Sequence, residues 1–255
     1  MKVSEKDKAT VIIPARFQST RFPGKPLAEI DGRPLIYHCY HSVSRSDWIK
    51  EVIVATDDPR IKTAVETFGG KAVLTSSNPK TGTDRLAEAV EKLEGEIFVN
   101  LQGDEILLQP YFLDSLVESF AQKPEVQMAT YKKEITDWED LNNPNIVKVV
   151  CDRDGVALYF SRSPIPFVRD RKAEGPVPGK TFFRHFGIYI YRKALLRQFS
   201  QWPESFLENL EKLEQLRAME RGVKIWVKET TNDSLRVDAP EDLNRVKDYL
   251  ERTHG

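Results

Sequence analysis

The feature that most constrains the fold of this chain is the alternation of short apolar runs with amphipathic helical patterns over the first hundred residues. The apolar runs cover residues 11–14, 51–56, 71–74 and 97–101. Apolar residues at helical spacing lie between these runs, at residues 34–43, 59–68 and 83–93. Apolar strands that alternate with helices are typical of a parallel sheet with both faces covered. The sequence therefore predicts an α/β fold with a mostly parallel, helix-covered central sheet.

Polar segments follow three of the predicted strands. They are the loop that begins at Arg16, the turn at Asp57 and Asp58, and the segment Gln102-Gly103-Asp104-Glu105. In open α/β sheets, ligands bind beyond the carboxyl ends of the strands. We therefore expect these three segments to gather at one edge of the sheet and to form the ligand site.

The loop of residues 16–25 carries three cations, Arg16, Arg21 and Lys25. Two planar guanidinium groups and a flexible ammonium match the oxygens of a triphosphate in geometry and in charge. The loop has neither the G-x-x-x-x-G-K-[ST] pattern nor the G-x-G-x-x-G pattern, so the two best-known phosphate loops are excluded. On these residues alone, phosphate binding and a solvated basic loop are both open.

Composition is consistent with one globular domain spanning residues 1–255, of which 40% are hydrophobic and 30% charged. The formal net charge of -1 offers no overall attraction for nucleic acid or for a membrane surface, so any basic site is local. No apolar run approaches the length of a membrane span, and the charged N-terminus does not resemble a secretion signal. Cys39 and Cys151 lack metal-ligand spacing and suit packing in a reducing compartment, so we expect a cytoplasmic protein.

The second half of the chain has a different sequence pattern. Residues 146–192 include two β-rich runs joined by D-R-D-G, which is a hairpin signal, and a proline-rich charged loop. We interpret this range as a β-rich insertion within the single domain. Beyond it, the spacing predicts one helix over residues 208–221, with Leu210, Leu213 and Leu216 directed inward.

Several polar residues have both a functional and a structural interpretation. Asp104 follows a central strand and is a candidate Mg²⁺ ligand, since that ion prefers carboxylate and phosphate oxygens, but an aspartate also suits a turn. Asp238 begins D-A-P-E-D, where an aspartate can cap the C-terminal helix without a metal. His185 begins a predicted strand, a common place for a core histidine. Arg162 and the charged loop at 168–172 offer guanidinium groups to a carboxylate or to solvent.

Two further segments are ambiguous in the same way. Residues 81–85, T-G-T-D-R, either cap the following helix or hold the edge of a base. The predicted helix at 208–221 has a polar face, for which solvent exposure is the simpler explanation, formed by Glu208, Glu211, Glu214 and Gln215. The sequence has no nucleophile elbow with a Ser/His/Asp order, no H-E-x-x-H and no Cys/His cluster, so covalent and zinc chemistry have no support.

Seven motifs occur in order along nearly the whole chain, between residues 11 and 250. They are V-I-I-P-A-R-F-Q-S-T-R-F-P-G-K-P-L, T-G-T-D-R, Q-G-D-E, A-L-Y-F-S-R-S-P-I-P, R-H-F-G-I-Y, L-E-Q-L-R and V-D-A-P-E-D-L. Together they resemble the 3-deoxy-manno-octulosonate (Kdo) cytidylyltransferase family, the CMP-Kdo synthetases of lipopolysaccharide biosynthesis. The resemblance implies a Rossmann-like nucleotidyltransferase fold, a homodimer, and a Mg²⁺-dependent reaction of CTP with the eight-carbon ulosonic acid to give CMP-Kdo and pyrophosphate.

The resemblance also implies roles for residues at matching positions, with Arg16, Lys25, Asp104 and Asp238 as the catalytic set. The nucleotide would be bound by Arg16, Ser19, Arg21, Lys25 and Arg85, with Arg85 near the cytosine. The metal ligands would be Asp104 and Asp238. The sugar pocket, in which an arginine would face the carboxylate, would consist of Gln102, Arg162, Arg169, His185, Tyr189, Glu214 and Gln215. Residues 146–192 would form a dimerisation and sugar-binding subregion.

Three residues depart from the pattern of the family. Ile106 stands in place of a proline, and Ile190 and Arg236 stand in place of glycines. Ile190 and Arg236 are expected to add bulk or charge near the sugar and metal groups, which raises the hypothesis that the substrate is 8-amino-3,8-dideoxy-manno-octulosonate, the 8-amino analogue of Kdo. Two alternatives remain: a related sialic-acid or sugar-1-phosphate nucleotidyltransferase, and a non-enzymatic nucleotide-binding regulator.

Overall fold

The computed structural model describes residues 3–18, 22–43, 46–79, 81–107, 111–169, 175–237 and 239–254. The strands are β1 (Ala9–Ala15), β2 (Glu29–Ile30), β3 (Arg33–Pro34), β4 (Ile49–Thr56), β5 (Lys71–Leu74), β6 (Ile97–Asn100), β7 (Glu105–Leu107), β8 (Met128–Glu134), β9 (Lys148–Cys151), β10 (Ala157–Ser161), β11 (Phe183–Arg192), β12 (Ile225–Glu229) and β13 (Ser234–Arg236). The α-helices are α1 (Leu35–Val43), α2 (Pro59–Thr67), α3 (Gly82–Val90), α4 (Asp114–Ala121), α5 (Trp138–Asn142), α6 (Lys193–Phe199), α7 (Phe206–Glu211), α8 (Gln215–Met219) and α9 (Asp242–His254). Short 3-10 helices cover Glu5–Asp7 and Lys25–Leu27. Within the described ranges, none of the helices has the length and apolar character needed to cross a membrane.

One nine-stranded sheet organises the chain. Its strands follow the order β10, β9, β11, β6, β1, β4 and β5, and β8 pairs with both β11 and β12. The strands β6, β1, β4 and β5 are mutually parallel, whereas β11 runs antiparallel to β6 and β8. The parallel strands are the apolar runs of the first hundred residues. The predicted α/β fold with a largely parallel central sheet is therefore confirmed.

Helices cover both faces of this sheet. Val11 and Ile13 of β1 pack in one core with residues of α1, α2, α4 and α9, and Ile12 packs in the opposite core with residues of α3, α6 and α8. Because successive side chains of a strand point to opposite faces, a strand buried on both sides reads as an uninterrupted apolar run. β1 extends through Pro14 to Ala15, one residue beyond its predicted end.

The range 146–192, interpreted from the sequence as an insertion, contributes strands to the main sheet. It contains β9, β10 and β11, and β11 pairs with the central strand β6 through four residues, Tyr189 to Arg192. A small separate core lies beside this region, formed by Ile135, Leu141, Val177 and Phe182. The range is thus in large part an extension of the central sheet. Its role in dimerisation stays a prediction.

The single helix predicted over residues 208–221 is wrong, because the chain forms two helices there, α7 and α8. Lys212, which ends α7, has a φ of 53° in the left-handed region, so the helical phase is broken. Leu213 and Leu216 are buried as predicted, but Leu210 is 66% exposed. The break also orients α8 so that its first residues face the edge of the sheet where β1 and β6 end.

Candidate active site

Three parts of the chain meet where β1 and β6 end. The ammonium of Lys25 donates hydrogen bonds to Asp104 Oδ2 at 2.6 Å and to the carbonyl oxygen of Val237 at 2.9 Å. The amide of Val237 donates to the carbonyl oxygen of Asp104, also at 2.9 Å. The cationic loop, the Q-G-D-E segment and the segment preceding residue 238 therefore lie together. We call Lys25, Asp104 and Val237 the Lys25 cluster.

Gly103 makes this close approach of chains possible. A Cβ atom at Gly103 would lie 2.9 Å from the carbonyl oxygen of Pro14, too close for any side chain. The thiol of Cys39 donates to the carbonyl oxygen of Gly103 at 3.4 Å. Burial raises the pKa of this thiol, so Cys39 is a packing residue, as the sequence predicts.

Only one of the two carboxylate oxygens of Asp104 accepts a hydrogen bond in the part of the chain that the structure describes. Its Oδ2 atom accepts from Lys25, whereas Oδ1 is buried and has no hydrogen-bond partner among the described residues. The neighbouring Glu105 is buried, which raises the pKa of its carboxyl, and its Oε1 accepts from the hydroxyl of Ser234 at 2.6 Å. Pairing of β7 with β13 holds Glu105 opposite Arg236 and so brings the segment before residue 238 to Asp104.

The cationic loop is described at its two ends. Arg16 directly follows β1 and is exposed. The amide of Gly24, which has a φ of 72°, donates to the carbonyl oxygen of Phe17 at 2.8 Å and so closes the loop before Lys25. Three residues with predicted roles lie outside the described residues and keep those roles as predictions: Ser19, Arg21 and Asp238.

Arg85, predicted to lie near the cytosine, is 1% exposed. Its guanidinium donates to the hydroxyl of Thr75, to the carbonyl oxygen of Ser76 at 3.2 Å and to Asp57 Oδ2 at 3.1 Å. These contacts tie α3 to the chain segments that follow β4 and β5. The structure thus places Arg85 inside the protein, where its guanidinium stabilises the segments that follow β4 and β5 and is directed away from open solvent.

Helix α3 begins with a capping box, as T-G-T-D indicates. The Thr81 side chain accepts from the amide of Asp84, and the Asp84 carboxylate accepts from the amide of Thr81 at 3.2 Å. Two residues into this box, the hydroxyl of Thr83 donates to Glu214 Oε2 at 2.5 Å. The capping interpretation is confirmed, and the same turn also connects α3 to the beginning of α8.

A second group of predicted residues gathers along β11. His185, Tyr189 and Tyr191 point to one face of the sheet, with ring centroids 5.1 Å apart for the first pair and 5.9 Å for the second. Four buried polar atoms of this region have no hydrogen-bond partner among the described residues: His185 Nε2, Tyr189 OH, Glu214 Oε1 and Gln215 Nε2. We call His185, Tyr189, Glu214 and Gln215 the Tyr189 cluster. Buried polar groups are nearly always paired in folded proteins, so such a concentration points to a polar ligand.

Burial dominates the ionisation of this cluster. It lowers the pKa of His185 to about 3, so the imidazole is neutral near physiological pH. It also raises the pKa of the Tyr189 hydroxyl and of the Glu214 carboxyl, the latter against hydrogen bonds from Thr81 and Thr83 that act in the opposite direction. The cluster therefore offers buried hydrogen-bonding groups, among which the imidazole of His185 is uncharged.

An ion pair holds the helices that carry Glu214 and Gln215. The guanidinium of Arg217 donates to both carboxylate oxygens of Glu208, at 2.5 and 2.8 Å, and both side chains are at most 10% exposed. Glu208 also accepts from the amide of Ser205 at 2.9 Å. The polar face predicted to be solvated is thus partly internal, because α7 and α8 fold against each other.

Arg162 caps the C-terminus of α7. Its guanidinium donates to the carbonyl oxygens of Glu211 at 2.6 Å, Pro144 at 2.9 Å and Lys212 at 3.3 Å. Arg162 therefore stabilises the turn that leads to Glu214. The prediction that its guanidinium contacts a substrate carboxylate does not match these hydrogen bonds. The other arginine of that prediction, Arg169, is exposed at the edge of the segment 170–174, which is not described.

The positions of the three departures correct one expectation. Ile190 is fully buried on the face of β11 opposite to Tyr189, packed in the core that contains Ile188. Neighbouring strand residues alternate between faces, so Ile190 adds no bulk beside the Tyr189 cluster. Ile106 is 3% exposed in the same core, and Arg236 is exposed on β13.

Hydrogen bonds lead from the Tyr189 cluster towards Gln102 through Thr83 and Asn100, two residues that the sequence does not mark as site residues. Gln102 Nε2 donates to Asn100 Oδ1 at 3.3 Å, and Asn100 Nδ2 donates to Thr83 Oγ1 at 3.4 Å. Asn100 stands opposite Tyr189 in the sheet. In the sequence, the only signal for Asn100 is that it is the one polar residue in the apolar run I-F-V-N-L. Thr83 has no signal of its own, because it belongs to a helix-capping motif.

The donor types limit the chemistry at this edge. The described part of the chain contains no group of three or more His, Cys, Asp or Glu side chains arranged to hold a metal ion. A separate open cleft of about 740 Å³ lies between α3 and the α6–α7 connection. Thr81 and Asp84 of the T-G-T-D-R segment line it, but none of the described residues with a predicted catalytic, nucleotide-binding, sugar-binding or metal-binding role does. The arrangement thus combines an ion-paired lysine and aspartate with a buried hydrogen-bonding pocket.

Comparison with known proteins identifies close relatives. A family model described as cytidylyltransferase matches residues 10–225. The chain is 49% identical over 246 residues to a 3-deoxy-manno-octulosonate cytidylyltransferase of Geobacter sulfurreducens, covering 94% of the chain and 98% of that relative. It is also 49% identical over 247 residues to the enzyme of the same name from Thermodesulfovibrio yellowstonii, covering 94% and 96%. A solved structure of CMP:2-keto-3-deoxy-manno-octonic acid synthetase complexed with CTP superposes with a TM-score of 0.88 at 41% identity, covering 96% of the chain and 99% of that structure.

Proposed function

The chain belongs to the 3-deoxy-manno-octulosonate cytidylyltransferase family, and on this premise we propose that it transfers CMP from CTP to the anomeric hydroxyl of Kdo. The products are CMP-Kdo and pyrophosphate, and CMP-Kdo serves lipopolysaccharide synthesis. Because the chain is a cytidylyltransferase, the alternative of a non-enzymatic regulator is wrong.

The observation that carries this proposal is the position of the two clusters at one sheet edge. Asn100, at the end of β6, pairs with Tyr189 of β11, and Asp104 follows only four residues later in the chain. A charged group able to bind phosphates therefore lies close to a buried pocket whose polar atoms can bind hydroxyl groups. A reaction that joins a nucleotide to a sugar needs these two environments side by side.

The proposed chemistry is a single displacement at phosphorus. The anomeric hydroxyl oxygen of the sugar attacks the α-phosphorus in line and its proton is released to solvent. The bond from that phosphorus to the bridging oxygen breaks, and pyrophosphate leaves with the electron pair. Lys25 and Arg16 supply positive charge for the phosphoryl oxygens and the leaving group. The Tyr189 cluster orients the sugar. No covalent intermediate with the protein is required, in agreement with the absence of a nucleophile motif in the sequence.

We propose Mg²⁺ as the cofactor, held by Asp104 and Asp238. The donor set fits because Mg²⁺ commonly takes one or two carboxylates together with substrate phosphates, and because Asp104 Oδ1 is buried without a partner among the described residues. Val237 in the Lys25 cluster supports a position of Asp238 nearby. When bound, the ion would neutralise charge on the phosphoryl oxygens.

A pyrophosphate-release assay tests the reaction and the identity of the sugar. Purified protein is given CTP with Kdo or with the 8-amino analogue, with UTP in place of CTP as the nucleotide control. We expect release with CTP and Kdo, because Ile190 lies on the far face of β11 and does not reshape the pocket. A clear preference for the amino sugar would replace Kdo by that analogue, and no release with either sugar would overturn the proposed function.

We also propose a homodimer formed through residues 146–192. Two large apolar side chains of this range are exposed, Leu158 at 61% on the edge strand β10 and Phe167 at 88%. Leu158→Glu is expected to shift the protein from dimer to monomer in sedimentation velocity. The matched control is Leu74→Glu on β5, at the opposite edge of the sheet, which is expected to leave the dimer intact. A wild-type monomer would contradict the proposal.

We propose the cytoplasm as the compartment of this reaction. The support is chemical: CTP is a cytoplasmic metabolite, and both cysteines of the chain, Cys39 and Cys151, are free thiols, as is usual in a reducing compartment. Fractionation of cells that produce the protein, with detection of CMP-Kdo synthesis in each fraction, tests it. Activity confined to an extracytoplasmic fraction would contradict it.

A further inference from the structure

Four side chains form a continuous hydrogen-bonded line beneath the two clusters. Gln102 donates to Asn100 at 3.3 Å, Asn100 donates to Thr83 at 3.4 Å, and Thr83 donates to Glu214 at 2.5 Å. Asn100 and Thr83, the two middle members, are only 1% and 2% exposed. Both are therefore shielded from a ligand and can act only through their neighbours.

Starting from Glu214, the donor and the acceptor of each hydrogen bond in the line can be assigned in turn. The hydroxyl of Thr83 donates to Glu214 Oε2, so this carboxyl oxygen is the acceptor. The oxygen of Thr83 is then left to accept, which requires Asn100 to present its NH₂ group to it. Asn100 Oδ1 consequently faces the other way, and Gln102 must meet it with Nε2. Each step leaves only one orientation of the next side chain.

This direction determines what the two ends present. Glu214 uses Oε2 for Thr83, and its Oε1 is buried without a partner among the described residues. Gln102 uses Nε2 for Asn100, which leaves its Oε1 as the remaining polar atom of the amide. Both ends of the line therefore present acceptor oxygens, and acceptors are the complement of hydroxyl donors.

We propose that Asn100 and Thr83 are positioning residues that orient Gln102 and Glu214 as paired hydrogen-bond acceptors, and thereby set the preference of the site for a polyhydroxylated sugar. The inference rests on the proposed function, since it concerns the sugar side of the same site. It assigns a role to residues that touch neither the sugar nor the nucleotide.

Substitution of Thr83 separates the hydrogen bond from the shape of the side chain. Thr83→Val keeps the volume and removes the hydroxyl, and Thr83→Ser keeps the hydroxyl and removes a methyl group. We expect Thr83→Val to raise KM for the sugar roughly tenfold, with KM for CTP unchanged, because one oriented acceptor is lost. Thr83→Ser should stay within about threefold of the wild type in the same assay.

Asn100→Asp tests the direction of the line without changing its shape. A carboxylate at 100 can only accept, so the hydroxyl of Thr83 must turn to it and can no longer donate to Glu214. We expect KM for the sugar to rise by at least as much as in Thr83→Val, again with little change in KM for CTP. Assays are run above neutral pH, because burial raises the pKa of Glu214 and a higher pH favours its ionised form.

Thr67→Val on α2 is the matched control, since that hydroxyl bonds a carbonyl oxygen on an exposed helix surface. It should leave all kinetic constants unchanged. The proposal is overturned if Thr83→Val and Thr83→Ser have equal effects, or if KM for CTP rises in parallel with KM for the sugar. If the wild type itself releases no pyrophosphate with CTP and sugar, the proposed function has failed instead, so the two failures are distinguishable.

Discussion

The Lys25 cluster and the Tyr189 cluster lie at the same end of the sheet, but they differ in how far their polar groups are paired by hydrogen bonds. Lys25 already has two hydrogen-bond partners, Asp104 Oδ2 and the carbonyl oxygen of Val237. In the Tyr189 cluster, four buried polar atoms have no partner among the described residues. An unpaired buried polar group costs about 1 to 3 kcal/mol of stability. The Tyr189 cluster, the proposed sugar side, is thus preorganised at the expense of stability. The Lys25 cluster, the proposed phosphate side, has one such atom, Asp104 Oδ1, and is held together by charge.

The comparison predicts its largest effect at Asp104, on the charged side. Asp104→Asn keeps the shape of the side chain but removes the charge that meets Lys25 and, in the proposed reaction, the metal. We expect kcat for pyrophosphate release to fall by at least about 100-fold, because stabilisation of charge in the transition state is lost. Asp114→Asn, a carboxylate bonded to Ser46 at the start of α4, is the control and should retain activity. Unchanged release in Asp104→Asn would refute the metal assignment.

A second prediction concerns the support beneath the Tyr189 cluster. Arg217→Met should lower the free energy of unfolding by about 3 kcal/mol or more, because it leaves the buried carboxylate of Glu208 without its cation. Arg197→Met breaks a pair with Glu91 in which both side chains are 51% exposed, and should cost less than about 1 kcal/mol. Urea denaturation of both variants provides the comparison. Equal losses would show that the Arg217 pair has no special role.

A third prediction separates stability from binding at Tyr189. Tyr189→Phe removes a buried hydroxyl that has no partner among the described residues, so stability should stay equal or rise by about 1 kcal/mol, while KM for the sugar rises about tenfold. Tyr131→Phe is the converse control. The Tyr131 hydroxyl donates to the carbonyl oxygen of Phe112 at 2.9 Å, so its loss should reduce stability and leave sugar binding unchanged. A loss of stability in Tyr189→Phe without a change in KM would contradict the account.

The last prediction concerns the pH dependence of stability, through His185. Burial holds the pKa of His185 at about 3 in the folded protein, against 6.5 for an exposed histidine. Between these values the unfolded chain binds more protons, so stability falls as the pH is lowered from 6.5 towards 3, by at most about 1.4 kcal/mol per pH unit. His185→Gln should flatten this slope, whereas His41→Gln, at an exposed position on α1, should leave it unchanged. Identical slopes in the wild type and His185→Gln would contradict burial as the cause.

The sequence predicts the charged side of the site better than the hydrogen-bonding side. Apolar runs identify β1, β4 and β6, and parallel strands place the segments that follow them at one edge, so Lys25 and Asp104 are found together. These inferences rest on local patterns with a fixed period. The strand β8 and the small β7–β13 ladder were not identified, because pairing between distant segments leaves no local period.

The α7–α8 region shows why the remainder could not be predicted. The break at Lys212 depends on a left-handed lysine that Arg162 supports from the end of β10, and no pattern around residue 212 indicates this contact. Arg162 was consequently predicted as a ligand group and Leu210 as a core residue. Asn100 and Thr83 were not selected for the same reason, since their roles depend on contacts with Gln102 and Glu214 that only the folded chain creates.

Hydrogen exchange with each substrate present tests the division of the site most directly. CTP alone should slow amide exchange in the 3-10 helix Lys25–Leu27 and in β7. Kdo should then be added to protein saturated with a CTP analogue in which a methylene group replaces the α,β-bridging oxygen, so that turnover is blocked. The account predicts that Kdo slows exchange in α7 and α8, with little further change at Lys25–Leu27. Protection by Kdo confined to the Lys25 side, with none in α7 and α8, would contradict it.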